Sequence, residues 1–98
     1  MTKLTQAKCR KWIKALRSGE YMQGRKVLKE GDLYCCLGVA AEVCNLPRED
    51  EGYLMSDIEG LGDDEQQYLV DLNDIDRESF SSIADHIEKN ILPNCPVR

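Results

Sequence analysis

The sequence lacks most of the features that would indicate directly where the protein works or what it does. None of its apolar runs is long enough to span a membrane, and the basic N-terminal stretch has neither the continuous apolar segment nor the small-residue cleavage site of a secretory signal. Only three prolines are present, and 42% apolar with 32% charged residues is typical of a folded chain rather than a disordered or collagen-like one. Because no internal repeat or linker divides it, we expect a single domain over residues 1–98, located in the cytoplasm.

The motifs of nucleotide-binding and hydrolytic sites are also missing. The sequence contains no GxGxxG, no P-loop, no HExxH and no Gly-x-Ser-x-Gly. The sharpest catalytic hypothesis is a thiol nucleophile at Cys35 or Cys36, where a strand or loop enters a helix, with His86 as its base. Helical spacing, however, puts His86 on the flank of the last helix, away from a central cysteine. The sequence therefore predicts no enzyme activity and no cofactor.

Cysteine is frequent for so short a chain, but its spacing does not indicate a disulfide scaffold or a metal site. The number is odd, Cys35 and Cys36 are adjacent, no CxxC pair occurs, and His86 is the only histidine. A structural zinc site is the alternative to buried, reduced thiols. We predict reduced thiols and no metal for all five cysteines, Cys9, Cys35, Cys36, Cys44 and Cys95.

Charge is divided unevenly along the chain. Residues 1–29 hold nine Lys or Arg and one acid, whereas residues 30–98 hold four bases and seventeen acids. Such a division is compatible with a basic face for nucleic acid, an acidic face for a basic protein, or two segments that lie against each other and partly cancel. On the predicted first helix, Arg10, Lys14 and Arg17 share one narrow arc. That basic stripe is either a solvated helix face or a face that contacts phosphate.

Apolar spacing predicts four helices. The first begins after Thr5 and ends near Ser18, and the second covers residues 36–45 as a buried central helix. A third begins at residues 63–65, where acids favour a helix N-terminus, although a short buried strand over 68–72 is an alternative. The last begins after Ser79 and leaves residues 92–98 as a tail that we expect to be mobile.

The remaining segments predict little regular structure. Residues 19–26 are typical of a loop, and residues 53–61 of one helical turn. Val27 to Lys29 and Leu33 to Cys35 predict a hairpin around Gly31. The predicted fold is therefore an α-rich α+β domain, with amphipathic helices packed around a buried central helix and a short β-hairpin. Its predicted core is Trp12, Ile13, Leu16, Leu37, Val39, Ala40, Val43, Phe80, Ile83 and Ile87.

A set of residues spread over most of the chain resembles a group of small bacteriophage and prophage proteins. The set reads W..AL.SG.Y.Q from Trp12, YCCLGV from Tyr34 and LND....SF..IA..IE from Leu72. Members often carry a glycine in the turn after the LND segment, where this sequence has Asp76 and Arg77. The resemblance implies a setting, a phage-infected or lysogenic bacterium, and implies no mechanism.

In that setting we expect an accessory protein that acts by stoichiometric binding to a host component, with inhibition of a host defence system as one such role. Arg10, Lys14 and Arg17 are then expected to meet an acidic surface of a partner protein or of a second copy, and duplex DNA to bind more weakly than about 10 μM. The first alternative is a protein that sequesters a small nucleotide. Its cations, ring and amide would come from Arg17, Tyr21, Gln23, Arg25 and Lys26. The second alternative is nucleic-acid binding through the basic first helix.

Overall fold

The computed structural model describes residues 2–24, 29–30, 33–46 and 58–98. The domain is rich in helix with small sheets, which confirms the predicted α+β class. Its helices are α1 (Gln6–Ser18), α2 (Cys36–Val43), α3 (Asp63–Asp74) and α4 (Phe80–Asn90), and a short 3-10 turn (Leu92–Asn94) follows α4. The predicted turn at Gly31, the predicted ligand residues Arg25 and Lys26, and residues 53–57 lie outside the described residues.

The ends of α1 and α4 follow from their capping residues. The Thr5 hydroxyl accepts a hydrogen bond from the Lys8 amide, and the Ser79 hydroxyl accepts one from the Ser82 amide. Gly19 ends α1 with φ of 79°, a left-handed conformation that glycine adopts without a steric penalty. Both helices begin where the sequence predicts, because the cap and the apolar spacing indicate the same residue.

Two small sheets lie beside the helices. Strand β1 (Thr2–Lys3) pairs in parallel with β5 (Ile58–Glu59). The second sheet has the order β2-β4-β3, in which β2 (Met22–Gln23) runs parallel to β4 (Leu33–Tyr34) and β3 (Lys29–Glu30) runs antiparallel to it. The β3-β4 pair confirms the predicted hairpin.

Two sequence-based predictions about these strands are wrong. Residues 19–26, expected to form a loop, contain β2, and Ile58, expected in a helical turn, lies in β5. In both cases the strand is two residues long, so that no alternating pattern can develop in the sequence. Each strand forms because a distant segment supplies its hydrogen-bond partners.

The four helices enclose one hydrophobic core, and most of α2, from Cys36 to Ala41, is buried in it. Helix α1 packs against α2 and α4, and α3 packs against the same two helices, so that α1 and α3 have at most a marginal contact with each other. The predicted core residues are buried except Val43, which is half-buried at the edge of the core. The core also contains apolar side chains outside that predicted list, among them Leu4, Leu61, Leu69 and Ile91.

The C-terminal segment lies against the start of α1. The Gln6 amide donates a hydrogen bond of 2.8 Å to the Pro96 carbonyl, and the Cys95 side chain is buried. Leu92 to Asn94 form the 3-10 turn that leads into this contact. These contacts describe how residues 92–96 are placed, whereas the expected mobility of residues 92–98 stays a prediction.

Candidate functional site

The basic stripe of α1 forms one wall of a groove between α1 and α4. The groove has a volume of about 420 Å³. Its floor is the side chain of Ile13, which is buried, and Glu88 of α4 forms part of the opposite wall. The structure therefore brings together three of the residues that the sequence singled out, Arg10, Lys14 and Arg17, and adds Ile13, Ser18 and Glu88 to them.

Arg17 meets two carboxylates of its own chain at one end of this groove. Its Nη2 lies 2.6 Å from the Oδ1 of Asp85, and its guanidinium also contacts both carboxylate oxygens of Glu88, at 3.3 and 3.4 Å. Hydrogen bonds to Glu88 and Asp85 raise the pKa of Arg17. Part of the divided charge therefore cancels within the molecule, between α1 and α4.

Arg10 and Lys14 remain as exposed cations along the groove. Within the described part of the chain, neither forms an ion pair. One helical turn separates them, about 6 Å along the axis at 1.5 Å per residue. They therefore present two positive charges beside an apolar floor to whatever enters the groove from solvent.

Tyr21 lies in a second, neighbouring groove rather than in the first. This groove has a volume of about 200 Å³ and is lined by cations of α1 and by the Tyr21 ring. The ring of Tyr21 is half-buried and packs edge-on against Tyr34, with centroids 5.2 Å apart. Lys14 is shared between the two grooves, whereas Arg17 and Gln23 do not line the second one; its other lining residues are Lys11, Ala15, Ser18, Glu20 and Val43.

Gln23 is part of the structure's internal hydrogen bonding. Its Nε2 donates to the Oδ1 of Asn73, at 2.9 Å, and to the Glu78 carbonyl, at 2.7 Å. Asn73 is completely buried, and its own amide donates to the Gly24 carbonyl at 2.8 Å. Both donor hydrogens of the Gln23 amide are thus engaged in joining β2 to the end of α3, and they are not directed at a ligand.

Other residues of the motif set that begins at Trp12, Tyr34 and Leu72 also join segments that are distant in sequence. The indole Nε1 of Trp12 donates a hydrogen bond of 2.9 Å to the Cys36 carbonyl, which links α1 to the start of α2. The Tyr21–Tyr34 contact joins the segment after α1 to β4. The pairing of Gln23 with Asn73 then joins the first part of the set to the LND segment. The residues of the set thus have a structural role, because they hold distant segments of the chain together.

The cysteine and histidine side chains are not arranged as a nucleophile and its base. Burial is the largest cause that raises the pKa of the Cys35 thiol to about 11 and that of Cys36 well above its usual range, which opposes formation of a thiolate. His86 instead contacts the Tyr68 ring and lies 3.1 Å from the Nδ2 of Asn90. All five thiols are buried and free of disulfides, and over residues 2–24, 29–30, 33–46 and 58–98 no group of His, Cys, Asp or Glu could hold a metal ion.

A third groove lies between α3 and α4, and the sequence did not predict it as a site. It has a volume of about 230 Å³ and combines carboxylates with the ring pair of Tyr68 and His86. Tyr68 is 51% exposed although it lies in the apolar stretch of α3. In the sequence, the acidic residues at the start of α3 indicate only where a helix begins. Their position near α4 depends on how the two helices pack, which the sequence alone does not show. Among the described residues, the lining of this groove is Asp64, Glu65, Tyr68, His86, Asn90 and Ile91.

Comparison with known proteins shows a family without a stated activity. The chain belongs to the family described as a domain of unknown function (DUF8296), which matches residues 4–52. The match covers α1 and α2 with the segment between them, and α3 and α4 lie beyond it. No curated protein and no solved structure matches the chain. Within the described residues, no helix is long and apolar enough to cross a membrane.

Proposed function

We propose that this protein is a small accessory protein that binds a host-cell protein stoichiometrically, through the groove between α1 and α4. The observation that carries the proposal is the pair of exposed cations, Arg10 and Lys14, which form no ion pair with any described residue and stand above the apolar floor made by Ile13. The proposed partner presents an acidic segment with apolar side chains. In the phage-type setting, a host defence component in the cytoplasm is one such partner.

The shape of the groove favours a polypeptide over a small anion. The cations are spread over two helical turns, from Arg10 to Arg17, and Arg17 is already held by carboxylates of α4. A phosphate group would meet Glu88 in the same groove, which disfavours a compact anion there. An extended acidic segment can contact Arg10 and Lys14 while its apolar side chains cover Ile13, and charge complementarity of this kind speeds association and fixes register.

The same features disfavour nucleic acid. The whole chain carries a net charge of −5, and among the described residues no aromatic ring lines the α1–α4 groove for base stacking. In a protein of this size the acidic field of the remaining helices overlaps the basic field of α1, because the Debye length is about 10 Å at 0.1 M salt. The net charge of the molecule therefore repels a polyanion, even though the basic stripe attracts one.

Affinity capture tests the proposal. Tagged protein is incubated with a lysate of the cell in which it is made, and bound proteins are identified and counted by mass spectrometry. We expect one protein to be enriched in stoichiometric amount, and to be lost when Arg10→Gln and Lys14→Gln are combined. The matched control is Lys3→Gln with Lys89→Gln, which removes the same charge from exposed positions outside the groove. Binding that survives in the Arg10→Gln/Lys14→Gln variant, or no enrichment by the wild-type protein, would contradict the proposal.

A second candidate function is nucleotide sequestration in the groove beside Tyr21. The observation in its favour is that Lys11, Lys14 and the Tyr21 ring line the same groove, which supplies charge for phosphate and a face or edge for a base. Calorimetric titration with ATP tests it. Micromolar binding that is lost on Lys11→Gln and retained on Lys3→Gln supports this function, and no measurable heat rules it out.

A further inference from the structure

Two helices of this protein carry opposite and unmixed charge. Helix α1 contains five Lys or Arg and no acid, and α3 contains five Asp or Glu and no base. Their residues are Lys8, Arg10, Lys11, Lys14 and Arg17 on α1, and Asp63, Asp64, Glu65, Asp71 and Asp74 on α3.

The fold keeps these two helices apart. Both pack against α2 and α4 and have at most a marginal contact with each other, although the segments that precede them meet at the Leu4–Glu59 hydrogen bond. Within the described residues, the two ion pairs join α1 to α4, and none joins α1 to α3. Among these residues no ion pair therefore links α3 to α1 of the same molecule, and Asp63 and Asp64 of α3 are exposed, whereas its other three acids are half-buried.

Each of the two helices also borders a groove against α4. On the α1 side, Arg10 and Lys14 stand above Ile13. On the α3 side, Asp64 and Tyr68 flank the groove that reaches His86. A carboxylate next to a half-exposed aromatic ring suits a guanidinium or ammonium group, which gains both an ion pair and contact with the ring face. The two grooves are thus complementary in charge and in chemistry.

We infer that the α3–α4 groove binds α1 of a second copy of this chain. Arg10 or Lys14 of one copy enters the groove beside Asp64 and Tyr68 of the next. Because the two surfaces are different, the contact is heterologous: it leaves a free basic face on one copy and a free acidic groove on the other. Self-association therefore continues beyond the dimer with rising concentration and weakens as salt screens the charges.

A pair of complementary variants tests this arrangement by analytical ultracentrifugation. The first variant, Arg10→Gln/Lys14→Gln, keeps the acidic groove but loses the basic face. The second, Asp64→Asn/Tyr68→Ala, keeps the basic face but loses the groove. Each alone should sediment as a monomer, whereas an equimolar mixture should form a dimer and stop there, because only one functional contact remains. Wild-type protein should exceed the dimer over the range from about 10 μM to about 1 mM at low salt, by mass action.

The control is Asp76→Asn/Ile75→Ala, which makes the same change of charge and removes an exposed apolar side chain outside the groove. It should associate as the wild-type protein does. Thermal melts confirm that all variants are folded. A mixture of the complementary variants that stays monomeric, a wild-type protein that stays monomeric, or an association unchanged between about 0.05 and 0.5 M salt would overturn the inference.

This self-association uses the same α1 face as the proposed function but does not depend on it. The Asp64→Asn/Tyr68→Ala variant should still capture the host partner, because its basic face is intact. Wild-type protein that self-associates but captures no host protein would therefore contradict only the proposed function. Wild-type protein that captures a host protein but stays monomeric would contradict only the head-to-tail contact.

Discussion

Asn73 is a buried polar residue whose side chain makes two hydrogen bonds to a segment about 50 residues away. It is fully buried, accepts a hydrogen bond from Gln23 and donates one to the Gly24 carbonyl. A buried amide is stable only where its donors and acceptors are satisfied, and no buried side-chain nitrogen or oxygen in the described residues lacks a partner. Asn73 therefore holds the segment after α1 against the end of α3.

Replacing Asn73 by alanine should destabilise the protein by about 1 to 3 kcal/mol, because the Gly24 carbonyl loses its side-chain donor in a buried site. Urea denaturation measures this change. Gln67→Ala, an exposed position on the same helix, is the control and should change the free energy of unfolding by less than about 0.5 kcal/mol. Equal changes in the free energy of unfolding for the two substitutions would show that the hydrogen bonds of Asn73 do not stabilise the fold.

Arg77 occupies the turn that follows the LND segment at the end of α3. Its φ is 54°, in the left-handed region that costs an ordinary residue about 1 to 2 kcal/mol. Arg77→Gly should therefore raise the free energy of unfolding, by up to about 1 kcal/mol after the added flexibility of the unfolded chain is counted. Asp76→Gly, at a neighbouring position without positive φ, should lower it. A thermal melt in which both substitutions destabilise would contradict the left-handed assignment.

The buried thiols should make stability depend on alkaline pH. Burial raises the pKa of both Cys35 and Cys44 to about 11, above the ordinary value of 9.0. The folded state thus favours the protonated thiol. Its stabilising effect is complete below pH 9 and is lost as the pH rises toward 11, by up to about 1.4 kcal/mol per pH unit for each thiol.

Urea denaturation between pH ~8.5 and ~10 tests this dependence. The free energy of unfolding should fall with rising pH, and less steeply in Cys35→Ala, whatever the absolute stability of that variant. A free energy of unfolding that is constant over this range would show that the thiols are not buried in the folded protein.

At the scale of elements, α1 is joined to α2 by one specific hydrogen bond and by shared apolar packing. Trp12→Phe keeps most of the packing but leaves the Cys36 carbonyl without the indole donor, 2.9 Å away in the wild-type protein. We expect a loss of about 1 to 3 kcal/mol in the free energy of unfolding. Tyr68→Phe, which removes a polar group from a half-exposed ring, is the matched control. Indistinguishable melts of the two variants would contradict the role of this bond.

The helices could be predicted from the sequence because their signals are local. Thr5 and Ser79 cap helices whose apolar spacing begins immediately afterwards, and both helices are found where these signals indicate. The strands could not all be predicted, since β2 and β5 are two residues long and are defined by partners elsewhere in the chain. Local sequence does not contain those partners.

The candidate surface was only partly predictable for the same reason. Helical spacing places Arg10, Lys14 and Arg17 on one face of α1, and the structure shows them in one groove. The pairing of Arg17 with Asp85 and Glu88, about 70 residues away, depends on how α4 is rotated against α1. Likewise, the sequence identifies the amide of Gln23 as a candidate ligand-binding group, and only the structure shows that this amide donates to Asn73.

At the scale of the whole molecule, charge is separated rather than mixed. Basic α1 and acidic α3 have at most a marginal contact with each other in a molecule that spans 31 × 26 × 22 Å. An arrangement of this kind orients approaching partners by their charge and makes association depend on ionic strength. The cancellation at Arg17 leaves Arg10 and Lys14 as the cations of the α1–α4 groove that have no acidic partner in the described residues.

The central claim is that Arg10 and Lys14 bind an acidic protein partner in a fixed ratio. Calorimetric titration of the captured partner into wild-type protein tests it most directly, with Arg10→Gln/Lys14→Gln and Lys3→Gln/Lys89→Gln titrated in parallel and duplex DNA as the competing polyanion. We predict saturation at a fixed whole-number ratio, at least ~10-fold weaker binding for the groove variant alone, and DNA binding weaker than about 10 μM. Equal affinities of the wild-type protein and the groove variant, or sub-micromolar DNA binding that the groove variant loses, would contradict the account.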